Sequence, residues 1–468
     1  MSLGGRARGR RVGALVVVVV LLMAGLGGLP AARAATVNIP AGDVAALIAA
    51  INAANLTPEP DEIVLAAGTT YTLNAIDNTD VGGASGLPLI TSELTIVGNG
   101  ATLTRSTADG TPAFRSLRVE STGTLTLQQL TISNGTTLDG GGIFNNGTLT
   151  LTNSTINGNS AEVGGGGIFN IGMLTLTDST VNGNNAGFEG GGILNFETLT
   201  LTNSTVSGNS ADVIGGGIDN SETLTITNST VSGNSARDGG GIYGYSGTLT
   251  LTNSTVSGNS ATSIGGGIIN FSTFDTLSLT NTLVAGNTAP TAPDIDGPAS
   301  GTFNLIGNGT NLTGLTNGTD GNQVGTGQAP IDPLLGPLAD NGGPTQTHLP
   351  QPGSPALDAA GTAAGPASDQ RGISRPQGAA SDIGAVEVEV ALTHAELCAL
   401  TQAAVRQPSV ARSACVVLEL ARVAEQQGIV VIEQAALSIY RLQIRSAQSR
   451  RYVSPADAAE LIAWSRTL

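Results

Sequence analysis

The sequence predicts an all-β fold, a right-handed parallel β-helix, and three observations lead to this prediction. A glycine run followed by isoleucine returns six times, at intervals of 25, 25, 25, 24 and 26 residues. Within each copy, apolar and polar residues alternate with the period of two that is typical of strands. A fixed period of this length is typical of copies that stack on one another, because stacking buries an apolar face that one copy cannot bury alone. Crossovers between parallel strands are right-handed in about 98% of cases, which predicts the hand of the coil. The repeated isoleucines are Ile143, Ile168, Ile193, Ile218, Ile242 and Ile268.

Each copy is predicted to contain three short strands, at residues 142–145, 148–155 and 156–161 in the first. Two columns of asparagine are expected to point inward as ladders of stacked amides, since each amide both donates and accepts one hydrogen bond along the axis. The Asn-Ser-Thr phrases in the second column also match a glycosylation acceptor, which is the alternative. The first column is Asn145, Asn170, Asn195, Asn220 and Asn270, and the second is Asn153, Asn203, Asn228 and Asn253.

The first 34 residues have the pattern of a signal peptide. A basic start with Arg10 and Arg11 precedes the apolar stretch 12–27, and Ala32-Arg33-Ala34 is a small-residue cleavage site. The sequence therefore predicts an exported protein, extracellular or at the cell surface. No membrane span is expected in the mature chain.

The charge balance narrows the choice of partner. The net charge is −16, and loss of the five signal arginines takes it to about −21, with 14 arginines against 35 acids. An acidic chain without a basic cluster argues against nucleic acid as a partner. The possible partners that remain are a glycan or a protein at the cell surface. The sequence gives no sign of a cofactor or a metal.

Four regions follow the targeting segment. Residues 36–84 are expected to form an N-terminal cap with one amphipathic helix at 41–54, and residues 85–312 to form the coil. Residues 313–390 are rich in glycine and proline and lack the period, which is typical of a linker or a cap over the coil. Residues 391–468 predict a small α-helical domain.

The helical domain contains both cysteines of the chain, Cys398 and Cys415. In an exported protein a disulfide between them is plausible and would join two helices. Two buried thiols are the alternative.

The repeat resembles that of polymorphic outer membrane proteins, which combine a Gly-Gly-x-Ile phrase with a Phe-x-x-Asn phrase. Gly141-Gly142-Ile143 matches the first phrase, and Ile156-x-x-Asn159 matches the second with an aliphatic residue in place of Phe. Residues 332–348, 353–358 and 369–387 resemble the choice-of-anchor Q region of bacterial surface proteins. The resemblance implies an exported surface or secreted protein on a pectin-lyase-like scaffold, and it implies no catalytic set. The helical C-terminus and Ser381, where a cysteine is expected, depart from these families.

Two sets of residues are candidates for a site. One is an outward-facing aromatic stripe, which is either a contact surface or the surface that residues 313–390 cover. The other is a group of carboxylates that could serve a glycan-cleaving enzyme, or simply keep the surface wet. The stripe contains Phe144, Phe169, Phe196, Tyr243, Tyr245 and Phe271, and the carboxylates are Asp219, Glu222 and Asp238, with Glu197 equivalent to Glu222 one copy earlier.

Three functions are consistent with these observations. The first is a non-enzymatic surface protein for adhesion, recognition or structure. The second is a polysaccharide lyase or glycoside hydrolase on the same scaffold, although fold alone does not establish activity. The third is a passive stalk that presents a partner-binding helical domain.

Overall fold

The computed structural model describes residues 36–80, 82–271, 276–361, 365–389, 394–427 and 429–465. Within these residues the chain forms a parallel β-helix of about 11 turns and a small C-terminal helical region. The predicted fold class is therefore confirmed. The predicted signal peptide at residues 1–34 lies outside the described residues.

Strand pairing stacks the copies in register, so that equivalent residues form columns along the axis. Ile143 pairs with Ile168, and Ile168 pairs with Ile193, in parallel strands. These isoleucines belong to a nine-stranded sheet that we call sheet 1. Its strands are Leu117–Val119, Ile143–Asn145, Ile168–Asn170, Ile193–Asn195, Ile218–Asn220, Ile242–Gly244, Ile268–Asn270, Ile295–Pro298 and Leu312–Thr313.

Two more strands of each turn belong to sheet 2, which has 20 strands. Alternate leucines of its longer strands are buried and the threonines between them are partly exposed, as the period of two predicts. The longer strands are Glu93–Arg105, Thr124–Ser133, Thr148–Thr152, Met173–Thr177, Thr198–Thr202, Thr223–Thr227, Thr248–Thr252, Thr276–Thr280 and Ser300–Thr302. The shorter strands are Thr155–Asn157, Thr180–Asn182, Thr205–Ser207, Thr230–Ser232, Thr255–Ser257, Leu283–Val284, Leu305–Ile306 and Gln323–Val324.

Sheet 3 closes each turn and leads into the next glycine run. Its six strands are Thr136–Asp139, Ser160–Gly164, Asn185–Ala186, Ser210–Ala211, Ser235–Asp238 and Ser260–Ile264. Two antiparallel pairs stand outside the coil pattern, Asn78–Asp80 with Gly83–Ser85 and Leu335–Ala339 with Thr347–Pro350.

Each regular turn has four strands where three were predicted, because the chain bends at Asn153. This residue has a φ of 48°, in the left-handed region that asparagine adopts more readily than most residues. The bend ends the strand Thr148–Thr152 and separates it from Thr155–Asn157. The last strand, Ser160–Gly164, continues beyond the predicted end at residue 161.

One predicted asparagine ladder is continuous over four turns, and the other is formed only in part. The Nδ2 of Asn145 donates to Oδ1 of Asn170 at 2.6 Å, and this buried contact repeats up to Asn220. In the column of Asn153 the residues occupy the left-handed bend, and the predicted amide contacts are isolated. Nδ2 of Asn228 donates to Oδ1 of Asn203 at 3.3 Å, and Nδ2 of Asn281 donates to Oδ1 of Asn253 at 3.2 Å, whereas Asn153 itself is exposed. The column comprises Asn153, Asp178, Asn203, Asn228 and Asn253, with φ between 46° and 51°.

The second buried ladder instead starts at Asn159, in the strand-to-strand corner after sheet 2. Each Oδ1 accepts from both the backbone N–H and the side-chain Nδ2 of the preceding turn, at 2.9 to 3.0 Å. Each Nδ2 also donates to a backbone carbonyl, as Asn209 does to Val181. The amides are therefore fully satisfied in the core. The ladder is Asn159, Asn184, Asn209, Asn234, Asn259 and Asn287, and Asp294 accepts from its last amide at 2.8 Å.

Parallel pairing extends beyond both predicted ends of the coil. The strand Thr36–Ile39 pairs in parallel with Asp61–Leu65, which pairs with Glu93–Arg105. Helix α1, Val44–Ala54, lies between these strands, and its N-cap Asp43 accepts from the Ala46 N–H at 2.9 Å. The strand Thr70–Leu73 also pairs in parallel with Glu93–Arg105. Residues 36–84 thus contribute a helix and three strands of sheet 2.

The glycine- and proline-rich residues 313–390 pack on the short strands of sheet 2. Gln370 accepts from Thr230 Oγ1 at 2.7 Å and donates to Thr205 Oγ1 at 2.9 Å. His348 Nε2 lies 2.7 Å from Ser232 Oγ, and its Nδ1 donates to Gly336 O at 2.7 Å. Burial lowers the pKa of this histidine, so it is a neutral structural contact.

The described residues of the C-terminal region form four helices, α2 His394–Ala404, α3 Pro408–Gln426, α4 Val430–Ser449 and α5 Pro455–Trp464. Their apolar faces form a separate core around Leu418, Leu437 and Tyr440. A disulfide joins Cys398 of α2 to Cys415 of α3. In the described part of the chain, no helix is both long enough and apolar enough to cross a bilayer.

Candidate functional site

The residue after each isoleucine of sheet 1 points away from the core, and these residues form what we call the outer column. The strand register places Phe144 beside Phe169, and Asp219 between Leu194 and Tyr243. The outer column comprises Arg118, Phe144, Phe169, Leu194, Asp219, Tyr243, Ile269 and Asp296.

The residue before each glycine run forms a second column, which we call the rim column. Glu189 pairs with Ile214, and Ile214 pairs with Asp238. The two columns run side by side, because a Cβ on Gly164 would lie 2.4 Å from Cδ2 of Leu194. The rim column comprises Asp139, Gly164, Glu189, Ile214, Asp238, Ile264 and Thr291.

The glycine runs pass close to the outer column, and most of its residues are buried, so exposure of the stripe, which the sequence left open, does not extend to this part. The glycine three residues before each isoleucine has a φ between 61° and 66°, and a Cβ on Gly215 would lie 2.7 Å from Cβ of Asp219. Only a residue without a side chain can pass this close to the column. Leu194 and Asp219 are consequently 1% and 2% exposed. The alternative that residues 313–390 provide the cover is also wrong, because they pack on sheet 2.

In three of the turns, the residue two positions after the outer-column residue is an exposed aromatic residue. Phe196, Tyr245 and Phe271 are 37%, 56% and 64% exposed, and we call these three the aromatic ledge. The rings of Tyr245 and Phe271 stack with their centroids 5.9 Å apart and their planes 9° apart. The ledge is thus the accessible part of the predicted stripe.

The six aromatic residues of the predicted stripe form two clusters. The rings of Phe144 and Phe169 stack with their centroids 4.8 Å apart, and the centroids of Phe169 and Phe196 are 5.6 Å apart. Tyr243 contacts Phe271 at 6.2 Å and belongs, with Tyr245, to the other cluster. The turn between the clusters has Asp219 in its outer column.

Asp219 is a buried acid with an unsatisfied oxygen. Its Oδ1 has no hydrogen-bond partner among the described residues. Burial, with a smaller contribution from the charge of Glu189, raises the pKa of Asp219 to about 8. The side chain is therefore a neutral carboxylic acid at neutral pH.

The neighbours of Asp219 come from the rim column and the next turn. Burial and then the charge of Asp139 raise the pKa of Glu189. Burial raises the pKa of Tyr243, and Asp219 and Asp238 raise it further. Arg237 and Asp238 form an ion pair at 2.9 Å, with the arginine more than half exposed.

Of the three predicted carboxylates, Asp219 and Asp238 share an environment and Glu222 does not. Glu222 is exposed in the turn after sheet 1, where its backbone carbonyl accepts from Nδ2 of Asn220 at 2.8 Å. Glu197 occupies the same turn one copy earlier and accepts from Asn195 in the same way. Both glutamates are therefore turn residues.

Sequence reasoning missed Glu189, the carboxylate that acts on Asp219. The signal was available, because Asp139, Glu189 and Asp238 each stand immediately before a glycine run in their copies. In the described part of the chain, no group of three or more His, Cys, Asp or Glu side chains could hold a metal ion.

Comparisons with family models, with curated proteins and with solved structures returned no match. The coil is a parallel β-helix, as the resemblance implies. Its membership of the polymorphic outer membrane protein or choice-of-anchor Q families has no support from these comparisons.

Proposed function

We propose that this chain is an exported cell-surface protein that recognises a glycan at the aromatic ledge. The observation that carries the proposal is the exposed, stacked ring pair of Tyr245 and Phe271. Exposed apolar area of this kind marks a contact surface. A sugar ring has an apolar C–H face that packs on an aromatic ring, while its hydroxyl groups remain available to polar neighbours.

The arrangement of the ledge favours an extended chain over a compact ligand. Successive turns are about 4.8 Å apart, so Phe196 and Phe271, three turns apart in the register, lie about 14 Å apart along the axis. A polymer that follows the axis can contact both aromatic clusters and the partly exposed Ser221 between them.

Export and surface location rest on other observations. The N-terminal pattern predicts a signal peptide, and the acidic charge of the chain suits an extracellular protein. The resemblance of residues 332–387 to the choice-of-anchor Q region supports a bacterial surface protein.

Binding to a panel of polysaccharides tests the proposal. We expect wild-type protein to bind at least one polymer, and Phe196→Ala/Tyr245→Ala/Phe271→Ala to bind it at least tenfold more weakly. Phe188→Ala is the matched control, because Phe188 is 48% exposed and lies outside the ledge. Equal loss in the control, or binding to a protein and to no polysaccharide, would contradict glycan recognition.

A second candidate function is glycan hydrolysis with Asp219 as the general acid. The observation that favours it is the neutral carboxyl of Asp219, which is the protonation state that a general acid needs. It is the weaker candidate, because Asp219 is only 2% exposed and a substrate could not reach its carboxyl group in this conformation. Release of reducing sugar by wild-type protein, lost in Asp219→Asn, would place hydrolysis above recognition alone.

A further inference from the structure

The helical region has the opposite charge balance to the rest of the chain. Residues 392–468 contain 8 of the 19 arginines and 6 of the 35 acidic residues. Their net charge is +2, whereas the remaining residues carry −18. A positive domain on an acidic protein attracts anions that the rest of the chain repels.

Three of these arginines line one open pocket of about 620 Å³. Arg406 comes from the turn between α2 and α3, Arg445 from the last turns of α4, and Arg451 from the residues that follow α4. The backbone N–H of Arg406 donates to Tyr452 O at 2.7 Å and so fixes these segments together. The volume is in the range of pockets that bind small ligands.

The guanidinium groups of the three arginines have no protein partner among the described residues, whether in an ion pair or in a hydrogen bond. This differs from Arg371 and Arg375, which pair with acids in residues 313–390. Three like charges that converge without a counter-charge repel one another, and a bound anion would remove that repulsion.

The backbone supplies further donors on the same side. Helix α5 begins at Pro455, and Ser454 accepts from the Asp457 N–H at 3.1 Å as its cap. The N-terminus of a helix presents unpaired N–H groups and a partial positive charge. Ser454 and Pro455 both line the pocket, together with Gln448 of α4.

Arg451 occupies a position where glycine is the usual residue. Its φ is 60°, in the left-handed region, directly after the C-cap Arg450 of α4. A side chain is unfavourable there, whereas glycine carries no penalty. An arginine therefore stands at a position where the backbone alone would favour glycine.

We propose that this pocket binds an oxyanion of phosphate or sulfate type, held by Arg406, Arg445 and Arg451. Guanidinium groups present planar pairs of donors that match the oxygens of such groups. The proposal is independent of the glycan-binding ledge, which lies on the coil.

Isothermal titration of the full chain with inorganic phosphate, with chloride at equal ionic strength as reference, tests the site. We expect Arg445→Gln and Arg451→Gly each to weaken phosphate binding at least tenfold, and the triple variant with Arg406→Gln to abolish it. Arg412→Gln is the control, because Arg412 is an exposed arginine of α3 that does not line the pocket. We expect its affinity to stay within twofold of wild type.

Arg451→Gly also separates the site from a folding defect, since glycine suits the left-handed backbone. Weaker binding with an unchanged or raised melting temperature supports the site. Wild-type affinity in the triple variant, or equal losses in Arg412→Gln and Arg445→Gln, would overturn it. Binding to vesicles of phosphatidylcholine with phosphatidic acid tests whether the phosphate group belongs to a lipid headgroup. Equal binding of these vesicles by wild type and the triple variant would reject the lipid headgroup and indicate that the ligand is the free anion.

Discussion

Replacing Asp219 with asparagine is expected to stabilise this protein, and the gain should depend on pH. The acid is 2% exposed, its Oδ1 has no partner among the described residues, and its pKa is raised from 3.8 to about 8. Because the folded state holds the proton more tightly than the unfolded state, stability falls as the pH rises from about 4 to about 8.

The magnitude follows from the two pKa values. Each pKa unit corresponds to about 1.4 kcal/mol, so a shift of about four units makes the folded state about 6 kcal/mol less stable above pH 8 than below pH 4. Asparagine has nearly the same shape and does not ionise in this range. The variant should therefore match wild type near pH 4, exceed its stability by about 4 kcal/mol at pH 7, and exceed it by about 6 kcal/mol at pH 9.

Denaturant unfolding followed by circular dichroism at pH 4, 7 and 9 measures this difference. Asp369→Asn is the contrasting variant, because Asp369 accepts from the N–H groups of Arg371 and Glu387 and pairs with the Arg371 side chain. We expect it to be less stable than wild type at pH 7. A constant gap between Asp219→Asn and wild type from pH 4 to pH 9, or a less stable variant at pH 9, would refute the assignment of a neutral buried acid.

Three more substitutions, one of them with a control variant, test the coil and the segment that packs on it. Asn209→Leu leaves ladder partners unpaired and should cost about 3 kcal/mol in denaturant unfolding, whereas Asn153→Gly suits the left-handed bend and should cost little. Gly215→Ala brings a Cβ within 2.7 Å of Asp219 at a φ of 65° and should lower stability by about 1 to 3 kcal/mol, measured in the same way; an unchanged midpoint would contradict the close approach. Gln370→Ala removes two of the hydrogen bonds that hold residues 313–390 on sheet 2, those to Thr205 and Thr230, so limited proteolysis should cut that segment faster than in wild type, and equal cleavage rates would argue against a role of Gln370 in this docking.

The period and the alternation were enough to predict the columns of the coil. Ile143 stacks on Ile168 and Asn145 on Asn170, because a parallel register places equivalent residues of successive copies side by side. Alternation failed at Asn153, because one left-handed residue reverses which face the following side chains take. The same failure hid the ladder of Asn159, which stands after that bend.

The site was harder to predict, because it depends on how close two columns come. The alternation correctly placed Phe169 and Asp219 outside the core, and it placed Phe196 and Tyr245 on the same side. It contained no information on what lies above them. The glycine before each isoleucine was a signal of the repeat, and its second role, to let the backbone pass over the outer column, follows only from the φ values and the distances.

The position of Asp219 is the strongest argument that this part of the coil serves a function. The same column position holds Leu194 one turn earlier and Ile269 two turns later, and both are buried without any polar group to satisfy. A leucine at position 219 would therefore fit the scaffold and remove a destabilising term of about 4 kcal/mol at pH 7. Residues that break a packing rule in this way are expected at functional or strained sites. The turn that contains Asp219 also lies between the two aromatic clusters. The aromatic ledge and the buried acid therefore belong to one region of the coil, and we expect recognition to take place there.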